Sequence, residues 1–232
     1  MCDLALPSYT SDIIDVGIQN SGVEHVVPEK ITEEELQTAQ FIMTDDEADV
    51  WKNLYKEKDG YYELKDLSED KLNQADEELT VPLIMNYQMS AMEVDTFKKS
   101  IAAQMGMDEA QLADMSVEQI GQMMHMELES FMQEKKDDDG NTKTVECVDV
   151  RGVFSALLQS GAMTKDQIFS MRDDMEDTID AMGSSLVKSM GVAYAVSADK
   201  AAGVDINQVQ KDYLWMSGLK MVGMALLMGG QV

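Results

Sequence analysis

Histidine, cysteine, proline and basic side chains are all scarce in this chain, and each shortage removes a class of function. Only His25 and His125 are available to shuttle protons near neutral pH. Cys2 and Cys147 allow at most one disulfide and form no thiolate cluster, which fits a reducing compartment. The 3 prolines are Pro7, Pro28 and Pro82, so most of the chain beyond residue 30 is free to run in long helices. Lysine and arginine number 18 against 44 acidic residues, a formal net charge of -26. Without a basic stripe, the counterion release that drives phosphate binding has no source, so direct nucleic acid binding is not expected. Anionic membrane surfaces are disfavoured for the same reason. The opening "MCDLALPSYTSD" has no basic n-region and only a short apolar run, so export by a signal peptide is not expected.

Reaction-specific motifs are missing as well. No GxSxG, Walker A or GxGxxG stretch occurs. His125 stands in "MMHMELES" beside Glu127 and Glu129, without the Pro-Cys-x-x-Cys that a zinc deaminase needs, and reads as an ordinary helix residue. Two acidic loops approach a calcium-binding pattern and miss it. "YKEKDGYYELKD" places Gly60 and Tyr62 in register, but Tyr55 takes the position of the first carboxylate and Asp66 the last. "KKDDDGNTKTVE" places Gly140 and Glu146 in register, but Lys135 takes the first position and Thr142 the hydrophobic one. Both read as solvated turns. The expectation is a non-enzymatic chain with no cofactor and no metal site.

What the chain does have is enough apolar matter for a core and many helix signals. Of its 232 residues, 44% are hydrophobic. Four capping boxes punctuate it: Thr32 with Glu35, Thr44 with Glu47, Ser116 with Gln119, and Thr164 with Gln167. Hydrophobic staples accompany three of them, Ile31 with Leu36, Met115 with Ile120 and Met163 with Ile168. The pattern predicts helices over 33–43, 45–57, 69–79, 86–105, 108–114, 117–135, 150–160, 165–202 and 206–228. The expected fold class is mainly α, a multi-helix bundle with an extended N-terminal arm and at most one short hairpin.

Composition divides the chain into five segments. Residues 1–30 read as the extended arm, with a strand over Asp12 to Ile18. Residues 31–81 form an acidic helical segment; from Glu29 to Thr80 there are 17 acidic and 6 basic side chains. Pro82 separates it from a methionine-rich helical segment, 82–136. An acidic turn with a short hairpin or edge strand fills 137–149, and a C-terminal helical segment fills 150–232. Of 21 methionines, ten lie between Met85 and Met132. The thioether's adaptability suits a plastic core or a contact surface better than a copper site, which would want His or Cys nearby.

The C-terminal segment carries the most unusual pattern. In "AMGSSLVKSMGVAYAVSADKAA", the small residues Ala181, Ser185, Ser189, Ala193, Ser197 and Ala201 recur every four positions. A second ridge, Gly183, Val187, Gly191 and Ala195, runs beside it. Small ridges let a helix approach closely and cross at roughly -50°. The partner is either a helix of the same chain or a neighbouring subunit. The tail "YLWMSGLKMVGMALLMGGQV" follows, in which Leu214, Trp215, Met221, Met224 and Leu227 belong to an apolar surface on nearly every face. Such a helix is expected to be buried all round, in the chain or between subunits. It falls short of the roughly 20 residues of a bilayer span, so contact with a membrane is the less favoured reading.

In texture the chain resembles the virion and assembly proteins of tailed phages, including internal or ejection proteins. The resemblance rests on the Met-Cys start, the acidic helical body, the many methionines and the small-residue, apolar C-terminal end. It implies a structural or assembly component of a multi-subunit particle, such as an internal or head–tail protein, acting by helix packing in a virion or the host cytoplasm. Expected partners are protein subunits: a homo-oligomer, other virion proteins, or both. The competing class is an acidic inhibitor or nucleic-acid mimic that occupies a basic groove of a partner. Here, though, the acids are interleaved with apolar helix positions rather than arrayed over one surface.

Overall fold

A computed structural model describes residues 10–136 and 142–229, and the chain is mainly α. In order the elements are α1 (Ile13–Gln19, of π type), β1 (Lys30–Ile31), α2 (Glu33–Thr38), α3 (Asp45–Leu54), β2 (Tyr55–Lys58), β3 (Tyr61–Leu64), α4 (Glu69–Ser90), β4 (Met92–Glu93), α5 (Val94–Met105), α6 (Glu109–Ala113), α7 (Val117–Met123), β5 (Ser130–Lys136), β6 (Thr142–Val148), α8 (Arg151–Gln159), α9 (Lys165–Asp180), α10 (Ser184–Ala201) and α11 (Ile206–Gly229). Two compact units emerge, one of residues 1–84 and 172–232 and one of residues 85–171.

Both units carry a three-stranded antiparallel sheet, in the orders β1-β3-β2 and β4-β6-β5. One short hairpin was the sequence expectation, and the first sheet was missed. Its cause is local. Asp59 and Gly60 both adopt positive φ, 52° and 81°, the backbone of a two-residue hairpin turn. The first calcium-like loop is therefore a hairpin pairing Lys58 with Tyr61 and Tyr55 with Leu64.

In the first unit the core gathers around Trp51, which is fully buried. Its indole N–H donates to the Leu36 carbonyl at 3.1 Å, and its ring meets Tyr55 edge-on at 4.9 Å. Thr44 caps α3 in a complete capping box with Glu47. The Glu47 carboxylate also accepts both arms of the Arg172 guanidinium from α9, at 2.5 and 2.6 Å. Burial pushes the Glu47 carboxyl up, but hydrogen bonds from Arg172 and the Thr44 N–H outweigh it and hold it below its usual range.

In the second unit β6 pairs with β5 from Ser130↔Val148 to Lys136↔Thr142. Helix α5 packs on α6 and on strands β4 and β6. The core here includes Phe97, Ile101, Leu112, Ile120, Cys147 and Val148. Ser116 with Gln119 forms a complete capping box, and Thr164 with Gln167 shows both reciprocal bonds. At Thr32 the hydroxyl accepts the Glu35 N–H, and the Glu35 carboxylate accepts the Tyr194 hydroxyl at 3.0 Å.

Several expected boundaries shift. Pro82 lies inside α4 instead of ending a helix. Leu79, Leu83 and Ile84 around it are fully buried, and that packing outweighs the roughly 3 kcal/mol a mid-helix proline costs. The helix expected over 86–105 is interrupted by β4 at Met92–Glu93. The one expected over 117–135 stops at Met123, and Ser130–Lys136 pairs as a strand. His125 is consequently not a helix residue: it sits after α7 with φ 57°. The helix expected over 165–202 breaks at residues 181–183, and Gly183 caps α10. Residues 12–18 are helical rather than a strand. The chain that follows is buried at Val23, Val26 and Val27, so residues 10–30 are no extended arm. Residues 1–9, and residues 137–141 where an acidic turn is expected, lie outside the described residues. The methionines divide: Met85 and Met89 are core, whereas Met105, Met123 and Met132 are exposed.

Candidate assembly surface

The C-terminal helices α10 and α11 hold the residues that the sequence singles out, and both belong to the first unit. Helix α10 buries Gly191, Val192, Tyr194, Ala195, Ala198 and Asp199. Gly191 is small because it has to be: a Cβ there would stand 2.5 Å from Cγ1 and 3.1 Å from Cβ of Val26. The second ridge is thus packed at Gly191 and Ala195, and what lies nearest Gly191 is Val26 of the non-helical stretch before β1, with Thr80 of α4 next at 3.7 Å.

The first ridge lies differently. Ala181 falls in the turn before α10, and Ser185, Ser197 and Ala201 are exposed, as is Gly183 at the cap. Ser189 and Ala193 are half-buried; the Ser189 hydroxyl donates to the Asn20 side-chain oxygen at 3.0 Å. The closely packed six-residue ridge therefore reduces within this chain to its two central members. Unbroken small-residue spacing reported low volume without reporting which face was covered.

Helix α11 docks through its first half. Leu214 and Tyr213 are half-buried and close on Gly17 of α1, where a Cβ would approach Leu214 Cδ2 to 2.6 Å. The Gln210 side-chain amide donates to the Gly17 carbonyl at 2.8 Å. Gly22, with φ +82°, lets the chain pass 2.9 Å (measured from its absent Cβ) from the Gln210 Cα. These glycines, in a stretch read as an arm, were the available signal for this contact.

Beyond that docking face α11 is open. Trp215 is 78% exposed, Met216 58%, Leu219 60% and Val222 57%. A helix buried on all sides within the chain was one expectation, and this face contradicts it. Met221 is half-buried, and the side chains of Met224 and Leu227 lie outside the described residues. Three of the four exposed apolar residues, Trp215, Leu219 and Val222, follow the steps of four and three of a helix–helix seam, with Met216 beside them. A large exposed Trp with aliphatic neighbours is the composition of an interface centre rather than of ordinary surface.

Among the described residues no helix is long and apolar enough to cross a membrane. Among them too, no group of three or more His, Cys, Asp or Glu side chains is placed to hold a metal ion. Compared with protein-family models, curated proteins and solved structures, the chain matches none of them.

Proposed function

We propose that this chain is a non-enzymatic structural or assembly component of a multi-subunit particle, and that it self-associates through α11. The proposal extends to a phage virion protein of the internal or head–tail kind, on the resemblance in composition. The observation that carries the assembly reading is the exposed apolar face of α11, centred on Trp215 and Leu219. Leaving such a face in water is unfavourable by about 25 cal/mol per Å² of apolar surface, and pairing it with a copy recovers that. Charge favours the same surface. From Gly203 to Val232 the charged residues are Asp205, Asp212, Lys211 and Lys220, so this region escapes the repulsion that the acidic body imposes on close approach.

The test is the mass in solution of wild type and of Trp215→Ser, by light scattering over a range of concentrations. Wild type is expected to exceed 25.8 kDa in a concentration-dependent way, and the variant to remain monomeric with unchanged helical circular dichroism. A wild type that stays monomeric throughout would refute self-association.

A further inference from the structure

The stretch from Asn20 to Ile31 crosses the first unit with little secondary structure of its own, and two side chains from two different helices pin it by its backbone. Asp76 of α4 accepts the Val26 N–H at 2.9 Å. Asp199 of α10 accepts the Lys30 N–H at 2.8 Å. Both carboxyls are buried, at 8% and 1% exposure. Between the pins, Val26 is seated on Gly191, and the Pro28 carbonyl accepts the Tyr55 hydroxyl at 3.0 Å. We propose that residues 20–31 act as a proton-controlled strap, fastened over α10 in mild acid and loosened as the pH rises through neutrality.

The physical basis is the placement of the groups that titrate. Burial pushes the Asp199 carboxyl up to about 7, and the Lys30 and Glu29 backbone N–H groups only partly oppose this. The charged or titratable groups facing it are Glu29 and Lys30 of the strap and Tyr55 of β2. None supplies a cation against the carboxylate: Lys30 presents its backbone N–H, while its ammonium lies over the Tyr61 ring. An ionised Asp199 therefore regains solvation chiefly by letting water in, and the cover over it is the strap. At the other pin, the His25 ring, on the strap itself, meets Asp76 at 2.9 Å and Glu69 at 3.6 Å, with Lys188 of α10 at 3.7 Å from the same Asp76. The hydrogen bond to Asp76 raises the His25 pKa, burial lowers it in part, and the charges of Asp76 and Glu69 raise it further against Lys188.

The signs agree. A folded pKa above the unfolded one means that the fastened form binds its proton more tightly, so its advantage is complete in acid and lost as pH rises through the folded pKa. This holds for the Asp199 carboxyl and for the His25 imidazole alike. For Asp199 alone, with a fastened-state pKa of about 7, the opening constant rises about tenfold between about pH 6 and about pH 8.

Hydrogen exchange at single amides tests this, each rate corrected for its intrinsic pH dependence. Protection at the Val26 and Lys30 amides is expected to fall about tenfold or more over that range, while amides in the middle of α4 keep theirs. Asp199→Asn, which retains the acceptor oxygen and cannot ionise, is expected to flatten most of the Lys30 profile. His25→Gln leaves the Asp199 part in place and trims the Val26 profile. A wild-type profile that is flat from pH 6 to 8 overturns the proposal, and this arm decides the question even if Asp199→Asn fails to fold. So does a loss of protection shared equally by the strap and α4, which would be general loosening rather than release of a strap.

Discussion

Helices α10 and α11 lie next to each other in the chain and share a composition of small and apolar residues, yet they meet their surroundings in opposite ways. Helix α10 has one close approach, at Gly191, and hides it under Val26. Helix α11 has an apolar face led by Trp215 and leaves it open. The difference teaches that small size and apolarity are separate signals. Small residues mark where something already lies against the backbone within the fold, but only where a Cβ would collide. Large apolar side chains left outside that contact are the surface that the proposed self-association would cover.

Substitutions can break or sharpen this contrast. The largest effect is expected for Gly191→Leu, which drives a side chain into Val26 and costs about 3 kcal/mol by overpacking, read as a lowered melting temperature at unchanged mass. Gly17→Ala comes next. Its Cβ meets the flexible end of Leu214 at 2.6 Å and the Tyr213 ring at 3.3 Å, for a loss of about 1 kcal/mol, or roughly 2–4 °C in a chain this size. Ala193→Leu, on the half-buried ridge, is expected to cost about 0.5 kcal/mol in thermal melts, because the added side chain can turn toward solvent. Were it to cost as much as Gly191→Leu, the assignment of the packed ridge would be reversed. Leu219→Ser, on the exposed face, is expected to leave the melting temperature of the monomer unchanged and to lower the oligomer mass. A melting temperature that collapses with this change would mean that the face is buried after all.

Much of the helical content was legible because its signals are local. Thr44 with Glu47 and Ser116 with Gln119 need only three residues of spacing to cap a helix, and both boxes form. The Asp59-Gly60 turn is equally local, but the same residues suit the glycine turn of a calcium loop as well as the hairpin that their positive φ angles build. What escaped depends on distant partners. Ser130–Lys136 follows a methionine-rich, helix-like run, yet it pairs with Thr142–Val148, a partner that local spacing does not reveal. Val23, Val26 and Val27 look like an arm until α10 offers Gly191 as a seat. Of the candidate surface, Trp215 was named for its apolarity, but its exposure could not be read without knowing which side of α11 meets Gly17.

Cys147 has a consequence of a different kind. It is a free thiol with no exposed surface, on the central strand of the second unit's sheet, and burial raises its pKa. Alkylating reagents attack the thiolate, so the native strand is shielded twice, by access and by protonation. Both tryptophans, Trp51 and Trp215, lie in the first unit. The molecule thus carries its own pair of reporters: labelling of Cys147 times the parting of one sheet, while the fluorescence of the buried Trp51, read in a Trp215→Phe background, follows the other core. Recorded on one sample, coincident rates would make the two units a single cooperative structure, and separate rates would make them two that open in turn.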